Sequence, residues 1–558
     1  MEIKQKTISL LAPENWTKNY KTLSDVAAHD LGLDFLCAQI TEKKAEQNYI
    51  ISVLSKMTKE PRVTKYRGDI FDDIYRNPAM RAEILEILDK INFLRDYGSL
   101  LKTYDEAAGV WDLLHRLDEL NDYIHCIEAI YRSLSKADIH SEGLLRLKEY
   151  VNDLYHDRGF EELKKDISAL KADTSNLKSV TVGINLNECF EAESVGLISI
   201  NSKYFTKSNL LGNFCDRIAA KGVIHPDTEW KETYKYQPFS AEDSSKAAAG
   251  VRAGLAMIPG GDMTEDIPRY MSRVTNQLLS NVVKTLRNSL NKYVSVTITE
   301  ITDLIPEFIY YVRLAEYIET ISKRGFRFCK AEVKTEEQTM CAKGIYNLKL
   351  ASTVEHADEI VTNHLDFDKE HLVYILTGAN RGGKTTITQA VGLLFVLAQG
   401  GIFVPGESFS FYPVDCIYTH FPADEDKTMN LGRLGEECKR FRELYFESTK
   451  DSLILLNETF STTSFEEGYY IAKDSVRAIL DKGVRTLYNT HMHKLAYDIE
   501  EINDAGKDCK AVSLVMKSHD GTRSYQVEIA KPEGMSYAND IAKKYGVTYE
   551  MLTEERKN

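Results

Sequence analysis

An eight-residue segment from Gly378 to Thr385, GANRGGKT, constrains this chain more than any other part of its sequence. It satisfies the pattern GxxxxGK[ST], with an apolar β-branched run, HLVYIL, before it and a helical pattern, TITQAVGLLFVL, after it. Glycines at this place allow backbone N–H groups to turn inward around an anion, and the N-terminus of the following helix adds the positive end of its dipole. The segment therefore predicts a strand, a loop and a helix that bind the phosphates of a nucleotide.

The residues of this loop have separate predicted roles. Lys384 is predicted to reach the β- and γ-phosphates, and Thr385 is predicted to bind Mg²⁺. The other predicted nucleotide contacts are Gly378, Ala379, Asn380, Arg381, Gly382, Gly383 and Thr386. Arg381 has two interpretations: a cation that assists the γ-phosphate or reaches across a dimer, or an exposed arginine, which we prefer.

Two further apolar strands end in polar residues that are expected beside this loop. The strand LILLN ends at Asn457 and is followed by Glu458, which is predicted to be the general base for an attacking water. Asn457 occupies the magnesium position and is neutral where aspartate is usual. The strand RTLYN leads to His491, which at the carboxyl end of a strand is predicted to contact the γ-phosphate. Metal binding by His491 and His493 is the less favoured alternative, because no carboxylate or cysteine lies near them in the sequence.

The hydrophobic periodicity divides the chain into two halves. Apolar positions from Val110 to Leu134 recur at three and four residues and predict one long amphipathic helix. A similar pattern from Val274 to Leu304 ends before Pro306, which is predicted to break or kink that helix. Residues near 178–205 predict a pair of strands. After about residue 340 strands alternate with helices, which indicates a mainly parallel sheet.

Composition limits the class of protein. The chain has 558 residues, 43% of them hydrophobic and 28% charged, which is typical of folded proteins with two to four domains. A net charge of −14 neither proves nor excludes a DNA partner. The longest apolar run is shorter than the roughly 20 residues of a membrane-spanning helix, so no membrane is expected. The N-terminus has no export signal, which predicts the cytoplasm, and the nine cysteines form no CxxC pair.

Four segments together carry a resemblance to a known family. TGANRGGKTT, VPGESF, LNETFSTTSFEEG and TLYNTHMHKLA occur in an order and spacing similar to those of the ATPase domain of the MutS family, the DNA mismatch repair ATPases of the wider ABC-type class. The resemblance implies a mixed fold, in which a helical core and lever region is followed by an α/β P-loop ATPase domain of the ABC type. It also implies ATP and Mg²⁺ as cofactors.

The resemblance implies boundaries and residue roles. It places an N-terminal helical segment at 1–85, a core and lever domain with a clamp-like insertion (about 178–262) at 86–340, and the ATPase domain with its dimerisation segment at 341–558. Carried over by position, the phosphate and magnesium contacts are Asn380, Gly383, Lys384 and Thr385. Glu458 becomes the catalytic glutamate, His491 the γ-phosphate contact and Asn363 a residue near the nucleotide base. The SFEEG segment matches the turn that links two ATPase sites.

The chain departs from the family's pattern at three places. Asn457 replaces the aspartate of the magnesium-binding strand, and residues 431–436 replace an element that completes the partner subunit's site. The segment before the core-like helices is too short for the family's mismatch-reading and connector domains together. The triplet Phe160-Glu161-Glu162 is a chance match to the family's mismatch wedge. These departures predict a short form without the mismatch-recognition domain.

The expected function is a homodimeric clamp that ATP closes on DNA structure during repair or recombination, with repair proteins as possible partners. The alternative is a slow, nucleotide-gated scaffold whose client is a protein or an RNA assembly. Candidate DNA contacts combine cations with aromatic residues, although an ordinary solvated surface explains them equally well. They are Lys203, Lys207, Arg217, Lys221, Lys231 and Lys235, with Tyr204, Phe205 and Trp230.

Overall fold

The structure is a computed structural model of the chain. It describes residues 8–16, 19–87, 110–174, 179–186, 188, 192–201, 284, 286, 288–290, 304–335, 339–379, 382–422, 432–504, 509–519, 522–531, 542–543 and 545–554. The chain forms two compact units. Their bounds are Met1–Leu85, Lys136–Lys148 and Asp303–Asn558 for the first unit, and Glu86–Ser135 and Glu149–Thr302 for the second.

Short helices and strands form the N-terminal part of the first unit. They are β1 (Lys21–Thr22), α1 (Asp25–Asp30), α2 (Leu33–Ile40), α3 (Lys44–Leu54), β2 (Lys56–Met57) and α4 (Pro61–Arg76), and residues 78–87 are also helical. Pro61 is the first residue of α4, where a missing N–H costs nothing. The buried Arg67 of α4 donates to the carbonyl oxygens of Leu11 and Gln399, at 2.8 and 3.0 Å. The bond to Gln399 fastens the N-terminal part to the C-terminal part of the same unit.

Helices and one strand pair form the described part of the second unit. They are α5 (Val110–Lys136), α6 (Glu142–Tyr155), which continues from the first unit, α7 (Arg158–Thr174), β3 (Ser179–Leu186) and β4 (Ala192–Asn201). Helix α5 confirms the long helix predicted from Val110, and the antiparallel pairing of β3 with β4 confirms the predicted strand pair. The candidate DNA contacts between Lys203 and Lys235, and most of the helical pattern that begins at Val274, lie outside the described residues.

Helix α8 (Leu304–Ser322) contains Pro306, which was predicted to break or kink a helix arriving from Val274. Most residues between Val274 and Leu304 lie outside the described part of the chain, so the effect of this proline stays a prediction. Buried side chains on most sides of α8, including Tyr310 and Tyr311, place it in the core of the first unit.

The C-terminal part of the first unit contains the strands and helices that follow α8. In chain order they are β5 (Phe328–Cys329), β6 (Glu332–Val333), β7 (Met340–Ile345), α9 (Leu348–Ala351), β8 (Asn363–Phe367), β9 (His371–Thr377), α10 (Lys384–Gln399), β10 (Val404–Pro405), β11 (Ser408–Phe411), β12 (Ile417–His420), α11 (Arg433–Glu447), β13 (Leu453–Asn457), α12 (Phe465–Lys482), β14 (Arg485–Asn489), α13 (His493–Tyr497), α14 (Ile499–Asp504), β15 (Lys510–His519), β16 (Thr522–Ile529) and α15 (Tyr549–Glu554). A single 3₁₀ turn, Ala357–Glu359, lies before β8.

The main sheet of this part confirms the predicted parallel sheet and the mixed fold class. Its six strands lie in the order β12, β13, β14, β9, β15, β16, and all neighbouring strands are parallel except the last pair. A smaller sheet has the order β6, β11, β7, β8. The strands β9, β13 and β14 are almost wholly buried, as expected for parallel strands covered on both faces.

The compact units group the chain differently from the three segments implied by the resemblance. Residues 1–85 and 303–340 pack in the same unit as the C-terminal part. The boundaries at 85 and 340 were predicted for the domains of the family, which need not coincide with compact units. They stay a prediction.

None of the described helices combines the length and the apolar character that crossing a membrane would need.

Candidate functional site

The loop between β9 and α10 has the backbone shape that an anion-binding loop needs. Gly378 and Gly383 adopt positive φ values of 143° and 93°, which glycine adopts without strain. A Cβ at Gly378 would lie 2.8 Å from the Cβ of Met516, so a larger residue would collide there. Gly383 precedes α10, and no described side chain caps this helix. Its first N–H groups are therefore available to a ligand.

Lys384 is folded back onto the carbonyl groups of the loop. Its Nζ donates to the carbonyl oxygens of Gly378 and Ala379 at 3.1 and 3.3 Å, and the residue is only 4% exposed. Burial lowers the pKa of the Lys384 ammonium, and the nearby Glu458 carboxylate opposes this shift. A buried cation held by neutral carbonyl groups is suited to exchange them for an anion.

Glu458 lies between Lys384 and His491. Its Oε1 is 3.0 Å from Nε2 of His491 and 3.9 Å from Nζ of Lys384. Its Oε2 is buried and has no hydrogen-bond partner among the described residues. The residue has a positive φ of 54°, which is uncommon outside glycine and is a form of strain that occurs most often at functional sites. One carboxylate oxygen is thus engaged and the other is available.

Thr385, Asn457 and Asn489 form a polar group beside this carboxylate. The hydroxyl of Thr385 donates to Oδ1 of Asn457 at 3.0 Å. Nδ2 of Asn489 donates to the same Oδ1, and it is 3.4 Å from the Thr385 hydroxyl oxygen. The Thr385 hydroxyl and the Asn457 amide oxygen are hard oxygen ligands of the kind that Mg²⁺ prefers. The residues present therefore fit a nucleotide with its cation.

An open cavity of about 870 Å³ lies over these residues, within the usual size range of ligand pockets. Apolar side chains line one part of it, and the phosphate loop lines another. The apolar lining residues include Tyr346, Leu350, Ile360, Val361 and Met516, and the polar ones include Asn363, Lys384, Thr385, Asn457, Glu458 and His491. Gly382, Gly383 and Thr386 also line it, whereas Asn380 and Arg381 lie outside the described residues.

Asn363 lines the cavity, but both ends of its carboxamide are already bonded. Its Oδ1 accepts from the N–H of Val527 at 2.8 Å, and its Nδ2 donates to the carbonyl oxygen of Tyr525 at 3.0 Å. These bonds hold β16 beside β8. A contact between Asn363 and a nucleotide base would require one of them to be exchanged, and the predicted contact stays a prediction.

The two histidines after β14 differ in their surroundings. His491 faces Glu458. The pKa of His493 is lowered mainly by burial, and further by the nearby Lys384 and His491. Among the described residues, no group of three or more His, Cys, Asp or Glu side chains is arranged to hold a metal. Because His491 lies beside Glu458 and the phosphate loop, its position favours a role next to the phosphates over a separate histidine metal site.

The sequence did not identify the apolar lining of the cavity before Asn363, nor three residues close to the phosphate loop. Asn489 is the last residue of a buried strand, as Asn457 is. This shared position could have identified Asn489 from the sequence. Met516 and Tyr525 come from the antiparallel pair β15 and β16, and no motif marks them. Tyr525 has a positive φ of 56° and lies against Gly383.

His420 is buried behind the site, where it joins two segments. Its Nε2 is 3.1 Å from the carbonyl oxygen of Glu437, which can only accept, so this nitrogen carries the proton. Its Nδ1 is 3.1 Å from the hydroxyl of Thr459, the neighbour of Glu458, and therefore accepts. Burial, with a smaller contribution from Arg440, lowers the pKa of His420 to about 4.

This histidine predicts a loss of stability in acid. The unfolded chain binds a proton at His420 below about pH 6.5, whereas the folded chain resists protonation until about pH 4. The contribution is therefore fully present above pH 6.5 and is lost as the pH falls, by up to about 3 kcal/mol. We expect His420→Gln to flatten the fall in Tm between pH 7 and pH 4. His125→Gln, at an exposed histidine, is the control, and equal slopes for wild type and His420→Gln would contradict the prediction.

Comparison with known proteins gives two matches to family models. The model described as MutS domain V matches residues 374–558, which include every residue of the site except Asn363 and the cavity lining before it. The model described as MutS2 N-terminal domain matches residues 59–324.

Curated relatives are similar over part of their length. An "Endonuclease MutS2" of Caldicellulosiruptor bescii is 28% identical over 444 residues, which cover 74% of this chain and 55% of the relative. A "DNA mismatch repair protein MutS" of Chlorobium phaeobacteroides is 30% identical over 234 residues, or 40% and 26% of the two chains. An "Endonuclease MutS2" of Thermus thermophilus is 29% identical over 197 residues, or 35% and 25%. This chain thus spans between about a quarter and about half of these relatives.

Proposed function

The chain belongs to the MutS family, and from this premise we propose that it is an ABC-type ATPase that acts on DNA in repair or recombination. The observation that carries the proposal is the meeting of Lys384, Glu458 and His491 at one phosphate loop. The similarity of the relatives named for mismatch repair supports DNA as the substrate. The cytoplasm is the proposed place of action.

Each side chain of the site has a separate role in the proposed reaction. The N–H groups at the start of α10 and the Lys384 ammonium bind the phosphates. Thr385 and Asn457 would hold Mg²⁺, which would neutralise charge on the phosphate oxygens. His491 orients Glu458 through Oε1, and the free Oε2 accepts the proton of the attacking water.

Asn457 is expected to make turnover slow. A neutral carboxamide attracts a divalent cation less than the aspartate of the family would, because the number of ligand charges sets cation affinity. ATP binding depends mainly on the loop and Lys384, so it is less affected.

A homodimer that closes on ATP is part of the proposal. Helix α12 begins with the SFEEG segment and exposes apolar side chains, with Phe465 54% and Tyr470 68% exposed. Exposed aromatic residues of this kind are enriched in protein interfaces. Light scattering after size-exclusion chromatography is expected to show a dimer with ATP; a monomer both with and without ATP would refute the closure.

Binding to a DNA panel tests the proposed function. The panel contains homoduplex, single-mismatch and four-way-junction DNA, each measured with and without ATP across a salt series. We expect binding that weakens as salt rises, because phosphate contacts release counterions, and that changes with ATP. We also expect DNA to stimulate steady-state ATP hydrolysis. ATP binding without DNA binding at low salt would refute the DNA role.

The second candidate function is a nucleotide-gated scaffold with a protein or RNA client. Asn457 and the net charge of −14 favour it, since they predict slow turnover and weak overall attraction to DNA. ATP hydrolysis that DNA leaves unchanged would support this candidate. The word endonuclease in two of the relatives' names describes proteins of which this chain spans 55% and 25%, and strand cutting is not part of our proposal.

A further inference from the structure

We infer that Asn489 belongs to the cation site: it orients the Asn457 carboxamide, and its own amide oxygen partly compensates for the carboxylate that the site lacks. This inference rests on the proposed function, because the cation is the one bound together with ATP. It adds a positioning residue to which the sequence motifs assigned no role.

The parallel sheet places Asn489 and Asn457 side by side. They are the last residues of β14 and β13, and they are directly paired in the register of the two strands. Asn489 is fully buried, and Asn457 is 5% exposed. Two carboxamides thus lie together at the carboxyl edge of the sheet, where ligands of parallel α/β sheets bind.

The hydrogen bonds at Asn489 fix the direction of the Asn457 oxygen. Nδ2 of Asn489 and the hydroxyl of Thr385 both donate to Oδ1 of Asn457. Two donors on one acceptor hold the amide plane of Asn457 in a single orientation, with its oxygen beside Thr385. Without Asn489, only the Thr385 hydroxyl would hold this oxygen.

The remaining oxygen of Asn489, Oδ1, is buried without a hydrogen-bond partner among the described residues, and Oε2 of Glu458 is in the same condition. The two residues are neighbours, because the N–H of Glu458 donates to the carbonyl oxygen of Asn489 at 2.8 Å. Buried polar atoms are normally bonded, and two unpaired oxygens on neighbouring residues fit a hard cation with its water ligands.

A role of Asn489 in packing alone would explain fewer of these observations than a place in the cation site. An asparagine that served only to bond Asn457 would leave its own buried oxygen unpaired, which is unfavourable. A cation site uses both ends of the carboxamide, one to hold Asn457 and the other to receive a ligand.

Binding of Mn²⁺ in the presence of a non-hydrolysable ATP analogue tests the inference. Electron paramagnetic resonance reports free Mn²⁺ directly, so the measurement does not depend on turnover. We expect Asn457→Asp to tighten Mn²⁺ binding by about tenfold or more, because it adds one negative charge. Asn489→Asp is expected to tighten it less, because the added charge is partly offset by the loss of the Nδ2 bond to Asn457. Asn489→Ala is expected to weaken Mn²⁺ binding by about threefold or more, since Asn457 loses one of two orienting bonds.

Thr486→Val is the matched control, because Thr486 is buried on the same strand and its hydroxyl donates to the carbonyl oxygen of Val484, away from Asn457 and Asn489. This control is expected to bind Mn²⁺ as the wild type does. Thermal melts show whether each variant is folded. If Asn489→Asp does not fold, the Mn²⁺ affinity of Asn489→Ala tests the inference.

The outcomes separate the inference from the proposed function. A wild-type protein that binds neither the analogue nor Mn²⁺ refutes the proposed function. A wild type that binds both, with unchanged Mn²⁺ affinity in folded Asn489 variants, overturns the inference alone. Tighter binding in Asn489→Asp and weaker binding in Asn489→Ala support it.

Discussion

Replacing Glu458 with glutamine is expected to lower the rate of ATP hydrolysis by about 100-fold or more, the usual contribution of a general base. Glutamine keeps the size of the side chain and can still contact His491, but it cannot take up the proton of the attacking water. Oε2 of Glu458 has no hydrogen-bond partner in the described part of the chain, and this oxygen would be the one that accepts the proton. Affinity for ATP should be kept, so the variant should accumulate in the ATP-bound state.

Single-turnover hydrolysis and equilibrium binding of a fluorescent ATP analogue check this prediction. The matched control is Glu370→Gln, which removes an exposed carboxylate just before β9, at the end of the sheet opposite to the phosphate loop. We expect the control to hydrolyse ATP at the wild-type rate. A Glu458→Gln variant with wild-type turnover would show that another group activates the water.

Lys384→Ala is expected to weaken ATP binding by about 10- to 100-fold, which corresponds to the loss of a hydrogen bond to a charged group. The ammonium is buried, so its bond with a phosphate is poorly screened by water. Isothermal titration calorimetry with ATP measures the effect without a need for turnover.

The control for this variant is Lys510→Ala, at the first residue of β15 and again at the far end of the sheet. Lys510 forms an exposed ion pair with Glu370, and its removal should leave ATP affinity unchanged. Because Lys384 also bonds the loop carbonyl groups, thermal melts must show that Lys384→Ala is folded. A folded Lys384→Ala variant with wild-type affinity would contradict the assignment of the phosphate site.

The two variants separate binding from chemistry. Glu458→Gln should bind ATP and fail to turn it over, whereas Lys384→Ala should fail at binding. The opposite pattern would exchange the proposed roles of the two side chains.

The local elements and the family could be predicted from the sequence. The HLVYIL run, the glycine-rich loop and the apolar helix pattern are each set by neighbouring residues, and the structure has β9 and α10 at these places. The family models confirm the resemblance to MutS that these motifs indicated. The proximity of Glu458 and His491 to the loop also followed, because the carboxyl ends of parallel strands meet at one edge of a sheet.

Nearby residues along the chain were enough to predict the phosphate loop with its flanking strand and helix, because these elements depend on the local order of residues. The pairing of polar atoms, in contrast, was visible only in the folded sheet. There, Asn489 bonds Asn457, both ends of the Asn363 carboxamide hold β16, and one oxygen of Glu458 has no partner among the described residues. These bonds join residues that are far apart in the chain, so they exist only once the strands have taken their order and register in the sheet.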